Sequence, residues 1–245
     1  MHAHNLPTPA QVPASSALSW FREGWRLFMA HPAVWSVMGA ATFLVLAIAV
    51  WLPLIGRVLA MVVLQVLAGG MVAAAHHSRE TGTLKINELW DGLRQHAANL
   101  AMIGVLQGIA LTAAGILTFI TSLVLALLLD ITGLAGFDWI TLALSWVADI
   151  FVSFVVVMGM LLALWFAPAL VMLNRASPFD AMRLSFRAAL HNTGASALVG
   201  AVLVLGVPLA ITLSFGFGIV VVIPLVATTI YASWRDVFAS AGAEA

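Results

Sequence analysis

The chain contains no cysteine, which excludes disulfides, thiolate metal sites and a cysteine nucleophile. Charge is almost as scarce: Asp, Glu, Lys and Arg make up 8% of 245 residues, against roughly a quarter in an ordinary soluble domain. The ten cationic and ten acidic side chains cancel, so bulk charge offers nothing for nucleic acid to bind. There is no GxSxG, no Walker loop, no HExxH and no GxGxxG in a strand–helix context. What fills the space is apolar. Hydrophobic residues make up 63% of the chain, in uncharged blocks exceeding the roughly 20 residues that cross a bilayer. This composition predicts an all-α polytopic membrane protein.

Hydrophobic periodicity divides the chain into three similar units. The third is the clearest. Ser177 suits a helix N-cap, Pro178 the first turn, and Asp180 the acidic position of a capping box. Phe179, Met182, Phe186 and Leu190 recur at helical spacing beside a polar stripe of Asp180, Arg183, Arg187 and His191. An uncharged block with a glycine break in its middle follows, over 195–234. The pattern predicts a cationic helix lying in the membrane surface that feeds a pair of crossing helices. In the first unit, over 17–30, Leu18, Phe21, Trp25 and Phe28 oppose Ser19, Arg22, Glu23 and Arg26. In the second, over 86–96, Ile86, Leu89, Trp90 and Leu93 oppose Glu88, Asp91 and Arg94.

Six spans are expected, at about 33–55, 58–75, 97–119, 150–173, 195–213 and 216–234, arranged as three hairpins inside a membrane domain of 17–236. Residues 1–16 and 237–245 are expected to be tails, since Met1 to Pro13 has no cation and no apolar core of a secretory signal. Trp20 and Trp25 suit the headgroup level, and Trp35 and Trp51 suit an aromatic belt at the two ends of the first span. Gly69, Gly70, Ala73 and Ala74, and then Gly104, Gly108, Thr112 and Gly115, form small-residue stripes for close helix packing. Pro168 is expected to bend its span without breaking it, and Pro208 and Pro224 to kink theirs. The segment 120–149 is either a helical hairpin in the far interface or an extension of the flanking spans.

This layout sorts the charges. Arg22, Arg26, Arg79, Lys85, Arg94, Arg175, Arg183, Arg187 and Arg235 fall on one side, and only Arg57 on the other. By the positive-inside rule the first side, with both termini, is cytoplasmic.

Few residues suggest chemistry. His76 and His77 with Glu80 are the most metal-like group, but they supply too few ligands, and no metal or cofactor is expected. His31, His96 and His191 each close one surface helix, where imidazole suits the interface. Gln65 and Gln107 lie deepest, placed for hydrogen bonds between helices, or together with Asp149 for a polar path. Arg22, Arg26, Arg183 and Arg187 are the candidates for contacts to lipid phosphates. No residue is expected to be catalytic.

Gly24-Trp25-Arg26-Leu27-Phe28 with Pro32 and Trp35, then Ala68-Gly69-Gly70-Met71, resembles the start of an uncharacterised family of proteobacterial integral membrane proteins. Phe166-Ala167-Pro168-Ala169-Leu170-Val171, followed by Asp180-Ala181-Met182 and Ser185-Phe186, resembles its second half. The architecture is also similar to the membrane domain of some glycerophosphodiester phosphodiesterases, without the catalytic barrel. The resemblance implies a bacterial inner membrane and carries over no catalytic residue. The expected role is a non-enzymatic membrane scaffold, lipid-associated or assembly protein, with anionic lipids and a second copy or another membrane protein as partners. The alternative is a small transporter or channel.

Overall fold

The computed structural model describes residues 7–53, 55–131 and 138–239, with the backbone alone for 129 and 138–142. Every regular element among them is helical. The chain divides into two compact units, one of residues 1–105 and 162–245 and a smaller one of residues 106–161. Six helical stretches are long and apolar enough to cross a membrane, from Pro32–Val50 to Ile219–Ala239. The protein is a polytopic all-α membrane protein.

In the larger unit α1 (Ser16–Ala30), α2 (Pro32–Val50) and α3 (Gly56–Thr81) form the first repeat. A 3₁₀ turn (Ile86–Trp90) leads into α4 (Asp91–Ile131), and α5 (Asp138–Leu164) and α6 (Ala167–Asn174) complete the second. The third contains α7 (Pro178–His191), α8 (Thr193–Ala201), α9 (Val207–Leu213) and α10 (Ile219–Trp234), with π-helical turns at Val202–Gly206 and Arg235–Ala239.

The repeat is visible in the backbone. Each surface segment turns into its span at one non-helical residue: His31 (φ −142°, ψ 59°), His96 (−138°, 32°) and Asn192 (−116°, 48°). The third corner thus falls one residue after the expected His191, which is the last residue of α7. Seven residues before each corner stands a buried contact residue: Gly24, Leu89 and Ser185. Each meets the return helix of the preceding repeat, the first one meeting the last. Thr228 of α10 donates to the Gly24 carbonyl at 3.0 Å, and the Leu89 carbonyl lies against Gly70 of α3. Ser185 bonds to the end of α5.

One of these contacts, and a second beside it, are backbone on backbone. A Cβ on Gly70 would strike the Leu89 carbonyl, and one on Gly92 would strike that of Val66, so the 3₁₀ turn lies directly on α3. Close approach of this kind supplies the packing that hydrophobic drive cannot supply between helices in lipid.

The structure changes several expectations. Trp35 is fully buried, with its indole N–H on the Leu27 carbonyl at 3.1 Å, and Trp20 is buried against Asp236, so neither belongs to an interfacial belt. Trp25 and Trp51 are exposed. Pro168 interrupts its span: α5 stops at Leu164, and the proline occupies the first turn of α6, where its missing N–H costs nothing. Pro224 remains inside α10, whereas Pro208 opens α9 just after a π-helical turn. Segment 120–149 extends the flanking helices, since α4 continues to Ile131 and α5 begins at Asp138. The side chains of Asp138 and Trp139 lie outside the described residues, as do 132–137, His2, His4 and 240–245.

Neither end behaves as a free tail where it is described. Ala10 donates its N–H to the Val237 carbonyl at 2.8 Å, and Val12 packs against the core. At the other end Val237 and Phe238 are buried, and Phe238 meets Phe166 edge-on with centroids 5.3 Å apart.

Candidate functional site

Two places in the larger unit gather side chains with chemical capacity. The first joins α1, α3 and α10. Glu23 carries an ion pair to Arg79, another to Arg235 at 3.5 Å and a third to Arg26 at 3.8 Å. Beside it Asp236 accepts the Trp20 indole N–H at 2.8 Å. His76 places Nδ1 3.3 Å from the Tyr231 hydroxyl and Nε2 3.3 Å from Glu80. All three arginine ion pairs converge on Glu23, so the cluster ties helices together through a single carboxylate. His77 goes elsewhere, to Glu88 at 3.6 Å. Among the described residues no three His, Asp or Glu side chains are grouped to hold a metal ion.

Glu23 is the hub of this cluster, and one residue serves helices far apart in the chain. Exchanging it for glutamine would leave three guanidiniums without their shared anion. The groups are partly exposed, with Arg79 and Arg26 well hydrated, so the expected loss is modest, about 1–2 kcal/mol. Thermal unfolding in detergent, followed by intrinsic tryptophan fluorescence, measures it.

The second place is the outward face of α7. Its Ser177 cap accepts from the Asp180 N–H at 3.3 Å and donates to the Asp180 carboxylate at 2.6 Å, which occupies that acid. The helix buries its small face, Ala181, Ser185, Ala188 and Ala189. Phe179, Phe186 and Leu190 point outward and are exposed. Arg183 and Arg187, one helical turn apart, are exposed beside them, and no ion pair among the described residues engages either. On α1, Arg22 is likewise exposed and outside those pairs, next to exposed Leu18, Trp25 and Met29. Arg26 differs from the other three candidates because Glu23 shares it.

The deep polar residues fall in different surroundings. Gln65 is buried in α3 in the larger unit. In the smaller unit Gln107 is half-buried on α4, and Asp149 of α5 accepts the Ser122 hydroxyl of α4 at 3.0 Å. That unit also has an apolar groove of about 440 Å³, lined by Ala110, Ala113, Ala114, Leu117, Val156, Gly159 and Met160.

The sequence alone did not show Glu23 as a hub, because Arg79 lies 56 residues away and Arg235 farther still. The only local signal was an acid placed between two arginines on α1. No family model, curated protein or solved structure matches the chain.

Proposed function

We propose that this protein is a non-enzymatic, lipid-associated scaffold or assembly protein of a bacterial inner membrane, with both termini in the cytoplasm. The observation that carries the reading is the outer face of α7: two exposed arginines one turn apart, in no ion pair among the described residues, bordered by exposed Phe179, Phe186 and Leu190. Guanidinium groups at headgroup depth with aromatic and aliphatic side chains beneath them match the phosphate and acyl layers of an anionic leaflet. Arg22 with Leu18 and Trp25 repeats the arrangement on α1. The resemblance to proteobacterial membrane proteins supports the bacterial inner membrane. The crowding of cations on one side of the span layout supports the cytoplasmic termini.

The test extracts the protein into native membrane particles and weighs the co-purifying lipids. Anionic phospholipids are expected to be enriched over the bulk membrane. Arg183→Ala with Arg187→Ala should reduce that enrichment several-fold, in line with about 1 kcal/mol for each arginine near an anionic surface. Equal lipid profiles for the two proteins would remove the reading.

A further inference from the structure

Asn192 stands at the corner between α7 and α8 and is buried. Its side chain holds a piece of main chain in the manner of a neighbouring β-strand. The Oδ1 accepts the Val12 N–H at 2.7 Å, and the Nδ2 donates to the Ala10 carbonyl at 3.0 Å and to the Ala188 carbonyl at 3.0 Å. The Ala10 N–H is taken by the Val237 carbonyl at 2.8 Å. Ala14 then lies against Gly194, where an added Cβ would stand 2.9 Å from that of Ala14. Residues 10–12 therefore fill a built slot between the α7–α8 corner and the π-helical turn after α10.

The sequence of this strap agrees with the slot. N–H groups are needed at positions 10 and 12, and the prolines stand at 7, 9 and 13, where none is used. Val12 precedes Pro13 and is held out of the helical region by it. The polar contacts reach only main-chain atoms of the strap, so the slot reads the spacing of N–H and C=O groups, as strand addition does.

We propose that the Asn192 slot is a docking site for an extended main chain, and that its second occupant is the same strap from another copy of this protein. A neighbouring copy presents the identical pattern of donors and acceptors. Only Pro13, Ala14 and Ser15 connect the held Val12 to α1, a short proline-stiffened hinge of the kind that favours exchange between protomers. Copies inserted the same way in one membrane bring their straps to the same side, which raises the effective concentration of each for the other's slot. Three residues reach at most about 10 Å, so exchange requires two slots side by side with the starts of both α1 helices close together.

The absence of cysteine makes the test unambiguous. Two differently tagged full-length copies are expressed together, one carrying Ala14→Cys and the other Gly194→Cys, and isolated membranes are oxidised. A disulfide joining the two tags is expected, and adding Asn192→Ala to both copies should lower its yield about tenfold. A disulfide that forms only when both substitutions share one chain would overturn the proposal. So would a joined product that ignores Asn192→Ala, or no disulfide from either arrangement. A side chain at Gly194 crowds Ala14, so a second measurement uses unsubstituted chains. An untagged copy should purify with a tagged one and be lost with Asn192→Ala, and its failure to co-purify would equally reject exchange.

Discussion

Gly39→Leu is expected to prevent α2 from packing on α10 and to unfold the larger unit, a loss above about 3 kcal/mol. The reason begins with Pro224. A proline inside a helix has no N–H for the carbonyl four residues earlier, and here that carbonyl belongs to Val220. Gly39 meets this carbonyl: a Cβ at position 39 would collide with the Val220 oxygen and stand 2.9 Å from Pro224 Cδ. Backbone cannot move aside as the tip of a flexible side chain can, so even Gly39→Ala should be costly. Gly115→Leu is the control, because nothing lies within 4 Å of an added Cβ there, and its expected change is within about 0.5 kcal/mol. Pro224→Ala restores an N–H to Val220 and draws its carbonyl back into α10, so Gly39→Ala should cost less in that background. Unfolding of the parent, Gly39→Ala, Pro224→Ala and their double variant in one detergent, followed by tryptophan fluorescence, supplies the cycle. Equal stability of Gly39→Leu and the parent would disprove the contact.

Ser185→Ala is expected to be the most damaging removal of a single oxygen in the protein, at about 2–5 kcal/mol. The break between α5 and α6 leaves backbone groups unpaired inside a water-poor bundle. Ser185 serves both sides of it: its hydroxyl donates to the Leu162 carbonyl at 2.8 Å and accepts the Phe166 N–H at 3.0 Å. Ser185 is fully buried and Phe166 nearly so, while Leu162 is half-buried. Alanine fits the space but leaves one donor and one acceptor without a partner, each worth about 1–3 kcal/mol when buried. Ser185→Thr keeps the hydroxyl and adds a methyl, so its loss comes from crowding alone and should be smaller. Unfolding midpoints measure the difference, and protease sensitivity near Trp165 reports whether the break opens. An alanine variant as stable as the parent would show that these groups find other partners.

Much of the architecture was legible because its signals are local. Ser177, Pro178 and Asp180 announce a helix start within four residues, and the cap formed as read. The first and third hairpins followed from uncharged blocks whose lengths exceed the bilayer, whereas α4 runs past the expected end of its span at 119 and α5 begins before the expected start at 150. Ser185 was visible only as a hydroxyl with no partner in sequence. Its partners lie 19 and 23 residues earlier, and their need arises only because Pro168 ends the helix there. Asn192 was unreadable for the same reason: Val12 is 180 residues away. The N-terminal prolines read as a loose tail, yet the same prolines leave free the two N–H groups that the slot requires.

The amino-acid order by itself determined which stretches are helical, how many can cross a membrane and which ends carry the cations. Each depends on hydrophobic period, run length or a neighbour within one turn. Tertiary structure decided which face of each amphipathic helix turns inward. On α7 the large apolar residues Phe179, Phe186 and Leu190 point out, and Ala181, Ser185 and Ala188 point in. In water burial rewards the largest apolar face, but lipid solvates phenylalanine as well as a protein core does. The faces that meet are therefore those whose backbones come closest, and closeness is a property of two helices together, which no single stretch contains.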